Sequence, residues 1–282
     1  MKYVAVMFDV IESRKYYDRY EVQNILMKSV DYLNEIFRST IKKKVVSSSG
    51  DEFQGLFLDL QSAFLYIRKL QMLIYPIKIR CGIGYGEIKY EVEEWTSSSL
   101  DGEAYYLARE AIVLNERTKK NTICFNTKSQ YDKYLNVLCA SNMHTKSMQS
   151  QVVHLIELIA DIMFPIIFRD EDRGFYEFVL ENRYGLIAQE RWNKVDGRYR
   201  DAEILNINYE RLFENIGEYI QKKNSKLQFY MDEFWAHGMS TEIARIMGTT
   251  RQNIDRYIAL GRIKESRTMD KAIFELLGEN IW

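Results

Sequence analysis

Two hydrophobic periods alternate through the first 127 residues, and that alternation restricts the fold more than any other property of the chain. Residues 3–8, YVAVMF, form a short apolar, β-branched run bounded by Asp9 and Ser13, the pattern of a buried central strand. Residues 20–37 then place Val22, Ile25, Leu26, Val30, Leu33 and Phe37 at helical spacing. Residues 44–49 and 52–58 read as two strands, with Gly50-Asp51 between them as a tight hairpin turn. A helix over 61–73 stops before Pro76, and a strand pattern follows in IKIRCGIGYGEIKY. A polar loop leads to a helix starting near Asp101, with Ala104, Leu107, Ala108, Ala111 and Leu114 on one side, and TICFN closes the series as a strand. The predicted order is β-α-β-β-α-β-α-β.

Beyond residue 127 the texture changes to long aromatic-rich helical patterns such as NYERLFENIGEYIQKK, and residues 225–282 read as three or more short helices. Only Pro76 and Pro165 interrupt the 282 residues, which excludes a long proline-rich disordered tail and favours regular helices. Cys81, Cys124 and Cys139 are odd in number and lack metal-ligand spacing, so the sequence predicts neither a disulfide framework nor a zinc site, and a cytoplasmic location. MKYVAVMFDVIES reads as a buried strand and not as a signal peptide. Residues 152–168 are apolar but interrupted by His154, Glu157, Asp161 and Pro165, which predicts a buried helix and no membrane span.

Asp9 ends the first predicted strand, and Asp51 with Glu52 lies at the hairpin turn. A β-α-β-β unit brings the first strand beside the hairpin, so these carboxylates gather at one edge of the sheet. Carboxylates in proximity repel unless a cation lies between them, and Mg²⁺ or Mn²⁺ takes oxygen ligands while leaving positions for phosphate. Each acidic residue alone also has a plainer reading: Asp9 as a helix cap, and Gly50-Asp51 as turn chemistry. Gly82-Ile83-Gly84-Tyr85-Gly86 lacks the spacing of a dinucleotide fingerprint, and its glycines read as places where the strand passes close to a neighbour or a ligand. Glu103, Arg109 and Glu110 leave two readings open, a phosphate or ribose contact by Arg109 or a solvated charged face.

Four blocks carry a resemblance. SSGDEFQGLF at 48–57 resembles the hairpin of GGDEF diguanylate cyclases and the G-D hairpin of class III nucleotide cyclases. FDVIESR at 8–14 resembles the cyclase first-strand motif, IRCGIGYGEI at 79–88 the G-I-x-x-G strand, and DGEAYYLAREAI at 101–112 the helix after it. Together, and in this order, they most closely resemble the bacterial SatD family. The resemblance implies a palm-like fold, with Asp9 and Asp51 as metal ligands and Glu52 alongside. Ser13, Ser49, Gly50 and Arg109 become the nucleotide-binding candidates, and Arg109 the candidate catalytic group. It also exposes departures: the positions of the cyclase Asn and Arg hold Tyr106 and Glu110, with Arg109 one place off register. Ser47 stands where cyclases have a base-selecting Lys, and Ser49 where GGDEF enzymes have the first glycine. The metal corner is kept and the cyclising apparatus is not.

Residues 239–263, MSTEIARIMGTTRQNIDRYIALGRI, fit a helix-turn-helix. Ser240 or Thr241 is expected to cap the first helix, with Ile243, Ala244 and Met247 buried; Gly248 makes the turn, Thr250 caps the second helix, and Ile254 and Ile258 face inward. Arg251, Gln252, Asn253 and Arg256 then form an outer face suited, with Thr250, to double-stranded DNA. Six basic residues, Arg245, Arg251, Arg256, Arg262, Lys264 and Arg267, face three acidic ones over 240–268, although the whole chain carries a net charge of −1. A three-helix packing module that never meets DNA fits the same spacing.

The sequence thus predicts an α+β protein: a ferredoxin-like, nucleotide-cyclase-like palm over 1–127, a helical region over 128–224 suited to dimerisation, and a helix-turn-helix over 225–282. The function expected is a cytoplasmic DNA-binding transcription regulator, homodimeric, whose palm binds a nucleotide or phosphate ligand with Mg²⁺ or Mn²⁺. The alternative is a metal-dependent nucleotidyl cyclase or transferase, drawing on Arg109, Arg80, Arg14 and Lys15 for phosphate charge.

Overall fold

A computed structural model of the chain describes residues 1–16, 18–89, 96–118, 123–143, 151–163, 172–192, 207–214 and 238–279. The chain divides into two compact units, Met1–His144 with Ala272–Trp282, and Thr145–Lys271.

The first unit is built on a five-stranded sheet of β1 (Lys2–Val10), β2 (Ile41–Ser49), β3 (Glu52–Phe57), β4 (Ile79–Glu87) and β5 (Ile123–Asn126), in the order β2-β3-β1-β4-β5. The connecting helices are α1 (Arg19–Ile36), α2 (Leu60–Ile74) and α3 (Glu103–Thr118), and α4 (Asp132–Met143) follows β5. This is the element order predicted from the alternating periods. β1 lies at the centre because its run from Tyr3 to Phe8 is apolar on both faces, and all six residues are buried. Its neighbours β3 and β4 are antiparallel to it, while β5 runs parallel to β4.

The two faces of the sheet are distinct. Val4, Phe8, Phe53 and Phe57 lie on one face, where Phe8 stacks on Phe53 with centroids 5.0 Å apart and Phe57 meets Tyr66 of α2 edge-on at 5.2 Å. Tyr3, Ala5, Met7 and Leu56 lie on the other and pack against Ala104, Tyr105 and Ala108 of α3. Helix α3 comes unusually near because β4 offers no side chains there. A Cβ on Gly82 would stand 2.0 Å from the Ala108 carbonyl oxygen, and one on Gly84 2.2 Å from that of Ala104. The glycines of GIGYG are therefore a seat for a helix. Leu114, expected on the inner side of α3, is 49% exposed, and the neighbouring Asn115 is the buried residue of that turn.

Helices α1 and α2 start on aspartate caps: Asp18 accepts from the Glu21 amide at 2.9 Å and Asp59 from the Ser62 amide at 2.7 Å. Strand β2 begins at Ile41, earlier than its apolar pattern indicates, because Lys42, Lys43 and Lys44 occupy an edge strand whose charges discourage further pairing. Its register with β3 shifts around Val45. There the buried Asn34 of α1 completes the ladder, donating to the Val45 carbonyl at 2.9 Å and accepting from its amide at 3.0 Å.

In the second unit α5 (Gln151–Met163) is buried throughout its last nine residues, which fits the buried helix expected over 152–168 as far as residue 163; residues 164–168 lie outside the described residues. No helix among the described residues is long and apolar enough to cross a membrane. The other elements are α6 (Asp172–Trp192), α7 (Tyr209–Glu214), α8 (Met239–Ile246), α9 (Arg251–Leu260) and the start of α10 (Ile263–Gly278). Helix α5 packs with α7, α8 and α9, and Gly261 lets Val153 approach so closely that a Cβ there would meet its Cγ1 at 2.4 Å. Most of the aromatic-rich stretch NYERLFENIGEYIQKK, from residue 215 onward, lies outside the described residues.

Candidate functional site

The sheet register assembles the site. Asp9, the second-to-last residue of β1, is paired across to Glu52 on β3 and to Arg80 on β4. Directly opposite residues of adjacent strands project to the same face, so the three side chains stand in a row at one end of the sheet, on the face covered by α3. After β1 the chain turns through Glu12, whose φ of 55° is left-handed, into a short 3₁₀ turn, Ser13–Lys15. Across from it the hairpin turns at Gly50, whose φ of +58° suits a residue without Cβ. The result is a cleft of about 470 Å³ lined by Asp9, Val10, Glu12, Ser13, Arg14, Lys15, Ser49, Asp51, Glu52 and Arg80.

The predicted residues are largely brought together. Asp9, Asp51, Glu52, Ser13 and Ser49 all line this cleft. Asp9 does not cap the turn at Ser13, since the residue at its N-cap is Glu12 and no side chain bonds there. Gly50 lies at the hairpin tip, where its carbonyl accepts from Gln23 and Ser47, each at 3.4 Å. Arg109, on α3, donates to Glu52 at 2.9 Å, while Glu103 pairs with Lys128 and Glu110 accepts from Asn126 at 3.0 Å. Arg109 thus reaches the hairpin through Glu52, and the two neighbouring glutamates are engaged elsewhere.

Arg80 takes a larger part than its sequence position indicates. Its Nε donates to both oxygens of Asp9, at 2.7 and 2.9 Å, and its Nη1 contacts Glu116 at 3.0 Å. The side chains of Arg80 and Asp9 are 21% and 20% exposed, so this is a half-buried pair, whereas Glu116 at 60% is on the surface. Burial raises the Asp9 pKa above the ordinary carboxylate value and prevails over Arg80, which lowers it; Asp51 and Glu116 push it further up. For Arg80, burial works against the charge, but the hydrogen bond and attraction of Asp9, together with Glu116, hold its pKa above the usual value. Glu116 is the residue that sequence reasoning missed. Its signal was positional: eight residues beyond Ala108, it continues the helix face that crosses the glycines of β4.

Around the cleft, Lys15 pairs with Glu12, Arg80 with Asp9, and Arg109 with Glu52. Asp51 has no side-chain partner among the described residues, and its charge is one of the influences that raise the Asp9 pKa. Asp51, and Asp9 where Arg80 leaves its lone pairs accessible, are the residues that could offer oxygen donors to a hard divalent ion. Such an ion does not find a ready cage: among the described residues no three His, Cys, Asp or Glu side chains lie together as a metal-holding group.

In the second unit residues 239–263 form two short helices, α8 and α9, joined by a turn, and then enter α10. Ile243, Ala244, Met247, Ile254 and Ile258 are buried, Gly248 has φ +60°, and Thr250 caps α9 by accepting from the Asn253 amide. The expected Ser240 or Thr241 cap is not formed. Helix α8 begins earlier, on Gly238 at φ +85°, which leaves Ser240 inside the helix and buried. Arg251, Gln252, Asn253 and Arg256 are exposed. Two of the six counted cations do not belong to that face: Arg267 is buried against Glu157 at 3.4 Å, and Arg245 contacts Glu242, which Arg211 of α7 also holds at 2.6 Å.

The first unit is thus an α+β sheet domain with a mixed acidic and basic cleft at the end of its central strand. The chain belongs to the SatD family, whose model matches residues 3–171. No curated relative matches it. Among solved structures, the chain is similar to a bacterial light-regulated adenylyl cyclase, with TM-score 0.35 and 14% identity over 48% of this chain and 44% of that one. It is also similar to the guanylyl cyclase Cya2, with TM-score 0.30 and 15% identity over 44% of this chain and 74% of that one. The chain spans less than half the length of the light-regulated cyclases it matches.

Proposed function

We propose that the first unit is a palm-like ligand-binding domain whose cleft takes a nucleoside polyphosphate, or a ligand carrying its phosphates, together with a divalent ion. The observation that carries this reading is the composition of one cleft: Asp9 and Asp51 for a hard cation, beside Arg14, Lys15 and Arg80 for phosphate oxygens, with Ser13 and Ser49 as hydroxyl donors. Mg²⁺ characteristically binds through one or two carboxylates and completes its shell with phosphate and water, so an acidic pair flanked by cations suits the metal–phosphate complex. Asp9 and Asp51 would hold the ion, which supplies charge neutralisation at the phosphates. The guanidinium and ammonium groups orient the ligand and need no bond-making step to do so.

The second unit, on this reading, contacts double-stranded DNA through Arg251, Gln252, Asn253 and Arg256, and the chain acts as a ligand-responsive DNA-binding regulator. Support comes from the exposure of those four residues on a capped helix and from the resemblance of residues 239–263 to a helix-turn-helix. The test is fluorescence anisotropy with labelled duplex DNA in the presence and absence of each ribonucleoside triphosphate with Mg²⁺. An affinity that shifts with one triphosphate supports the regulator; no DNA binding at low salt removes that role.

A second reading, a metal-dependent nucleotidyl transferase or cyclase, is favoured by the three cations inside the cleft. Incubation with each triphosphate and Mg²⁺ or Mn²⁺ separates the two. Pyrophosphate release abolished by Asp51→Asn marks the enzyme, and intact triphosphate that nevertheless binds marks the sensor.

A further inference from the structure

Of the three cations that line the cleft, Arg80 is the least exposed. Arg80 Nε engages both oxygens of Asp9, and Nη1 anchors the guanidinium to Glu116 on α3, so Arg80 already neutralises one of the two carboxylates that a metal ion would use. The same guanidinium has five N–H donors, more than its contacts with Asp9 and Glu116 use. Asp51, the remaining carboxylate of the pair, has no cation paired with it among the described residues.

Resting on the reading of the cleft as a metal–phosphate site, we propose that Arg80 makes the site selective for a metal already accompanied by phosphate. Free divalent ion must compete with Arg80 for Asp9. A phosphate oxygen offers Arg80 a replacement acceptor, so the guanidinium turns from the carboxylate to the phosphate and Asp9 becomes available to the ion that arrives with it. Phosphate and metal then bind with positive linkage, each raising the affinity for the other by the same factor, and Arg80 is the positioning residue through which they are coupled. Asp9–Arg80 is the resting contact and Arg80–phosphate the loaded one, so the ligand selected is the nucleoside polyphosphate–metal complex over either component alone.

The experiment measures Mn²⁺ uptake by the full chain by electron paramagnetic resonance of the free ion, with and without each ribonucleoside triphosphate, after subtracting the Mn²⁺ that the triphosphate chelates in protein-free controls. It compares the wild type with Arg80→Gln, Arg80→Lys and Asp51→Asn. In the wild type, Mn²⁺ alone binds weakly, and a triphosphate tightens it by about tenfold, the size of a charge-assisted contact exchanged at a half-buried position. In Arg80→Gln, Mn²⁺ alone binds about tenfold tighter than in the wild type and the gain from triphosphate is lost. Arg80→Lys keeps the charge but cannot span Asp9 and Glu116 together, and falls between the two. It carries the test if a melt shows Arg80→Gln unfolded. Unchanged or weaker Mn²⁺ binding in the folded Arg80 variants, with triphosphate binding intact in the wild type, overturns the role of Arg80 and leaves the cleft reading standing. Absence of any triphosphate or Mn²⁺ binding in the wild type, unaltered by Asp51→Asn, overturns the cleft reading and this inference with it.

Discussion

Gly82→Ala probes the link between the glycine strand and the cleft. A Cβ at that position would lie 2.0 Å from the Ala108 carbonyl oxygen and 3.0 Å from both the Ala108 carbonyl carbon and Ile112 Cγ1. The nearest contact is helix backbone, which cannot rotate aside, so α3 must retreat by more than about 1 Å to restore van der Waals distance. Overpacking of this kind costs about 1–3 kcal/mol, and in a unit of this size each kcal/mol lowers the melting temperature by about 2–4 °C. The displacement also carries Glu116 from Arg80 and Arg109 from Glu52, so both ion pairs that tie α3 to the cleft lengthen. The control is Gly174→Ala in the first turn of α6, where nothing lies within 4 Å of the added carbon. There the substitution raises stability by up to about 0.5–1 kcal/mol, because alanine gives up less conformational freedom on folding. Thermal and urea unfolding of the two variants against the wild type give the comparison. A melting temperature for Gly82→Ala equal to or above that of the wild type would refute the argument that the glycines exist to seat α3.

Three further outcomes are expected. Asn34→Ala leaves the amide and carbonyl of Val45 without their buried partner, destabilises the first unit by about 3 kcal/mol in urea unfolding, and speeds hydrogen exchange of the hairpin. Burial raises the Asp9 pKa, so protonated Asp9 favours the folded state: that contribution is fully present below the unfolded value and is lost as pH rises through the folded one. Asp9→Asn removes this part of the profile, which denaturation between about pH 3 and pH 7 measures directly. On duplex DNA, Arg251→Ala and Arg256→Ala each reduce the slope of log affinity against log salt by about 1 if they contact phosphate; an unchanged slope assigns α9 to packing alone.

The parts of the fold legible in the sequence are those governed by local pattern. The fully apolar run of β1, the helical spacing in α1 and the Gly-Asp turn each specify their element without help from the rest of the chain. β2 was only half visible because its outer positions are lysines, and the bulge at Val45 depends on Asn34, eleven residues earlier and in a different element. The acidic corner could be read from strand order, which brings Asp9 beside the hairpin. Register then made Glu52 its direct partner and set Asp51 just beyond, a distinction no spacing rule supplies. Arg80 was among the candidate cations, but its contact with Glu116 was hidden for another reason: their meeting requires the close approach of α3 that Gly82 and Gly84 permit, a tertiary consequence of what reads as a loose glycine strand. In α8 the Ser240 cap failed because Gly238, with its left-handed backbone, started the helix earlier.

Calorimetric titration of the four ribonucleoside triphosphates, with Mg²⁺ and with EDTA, into the wild type and Asp51→Asn tests the central claim most directly. Asp51 is the carboxylate of the cleft with no internal ion pair among the described residues, so its amide changes the fold little while removing a free oxygen ligand. The account predicts binding of a triphosphate that requires Mg²⁺ in the wild type and weakens by at least about tenfold in Asp51→Asn. Binding that is indifferent to both Mg²⁺ and Asp51, or no binding of any triphosphate, would contradict it.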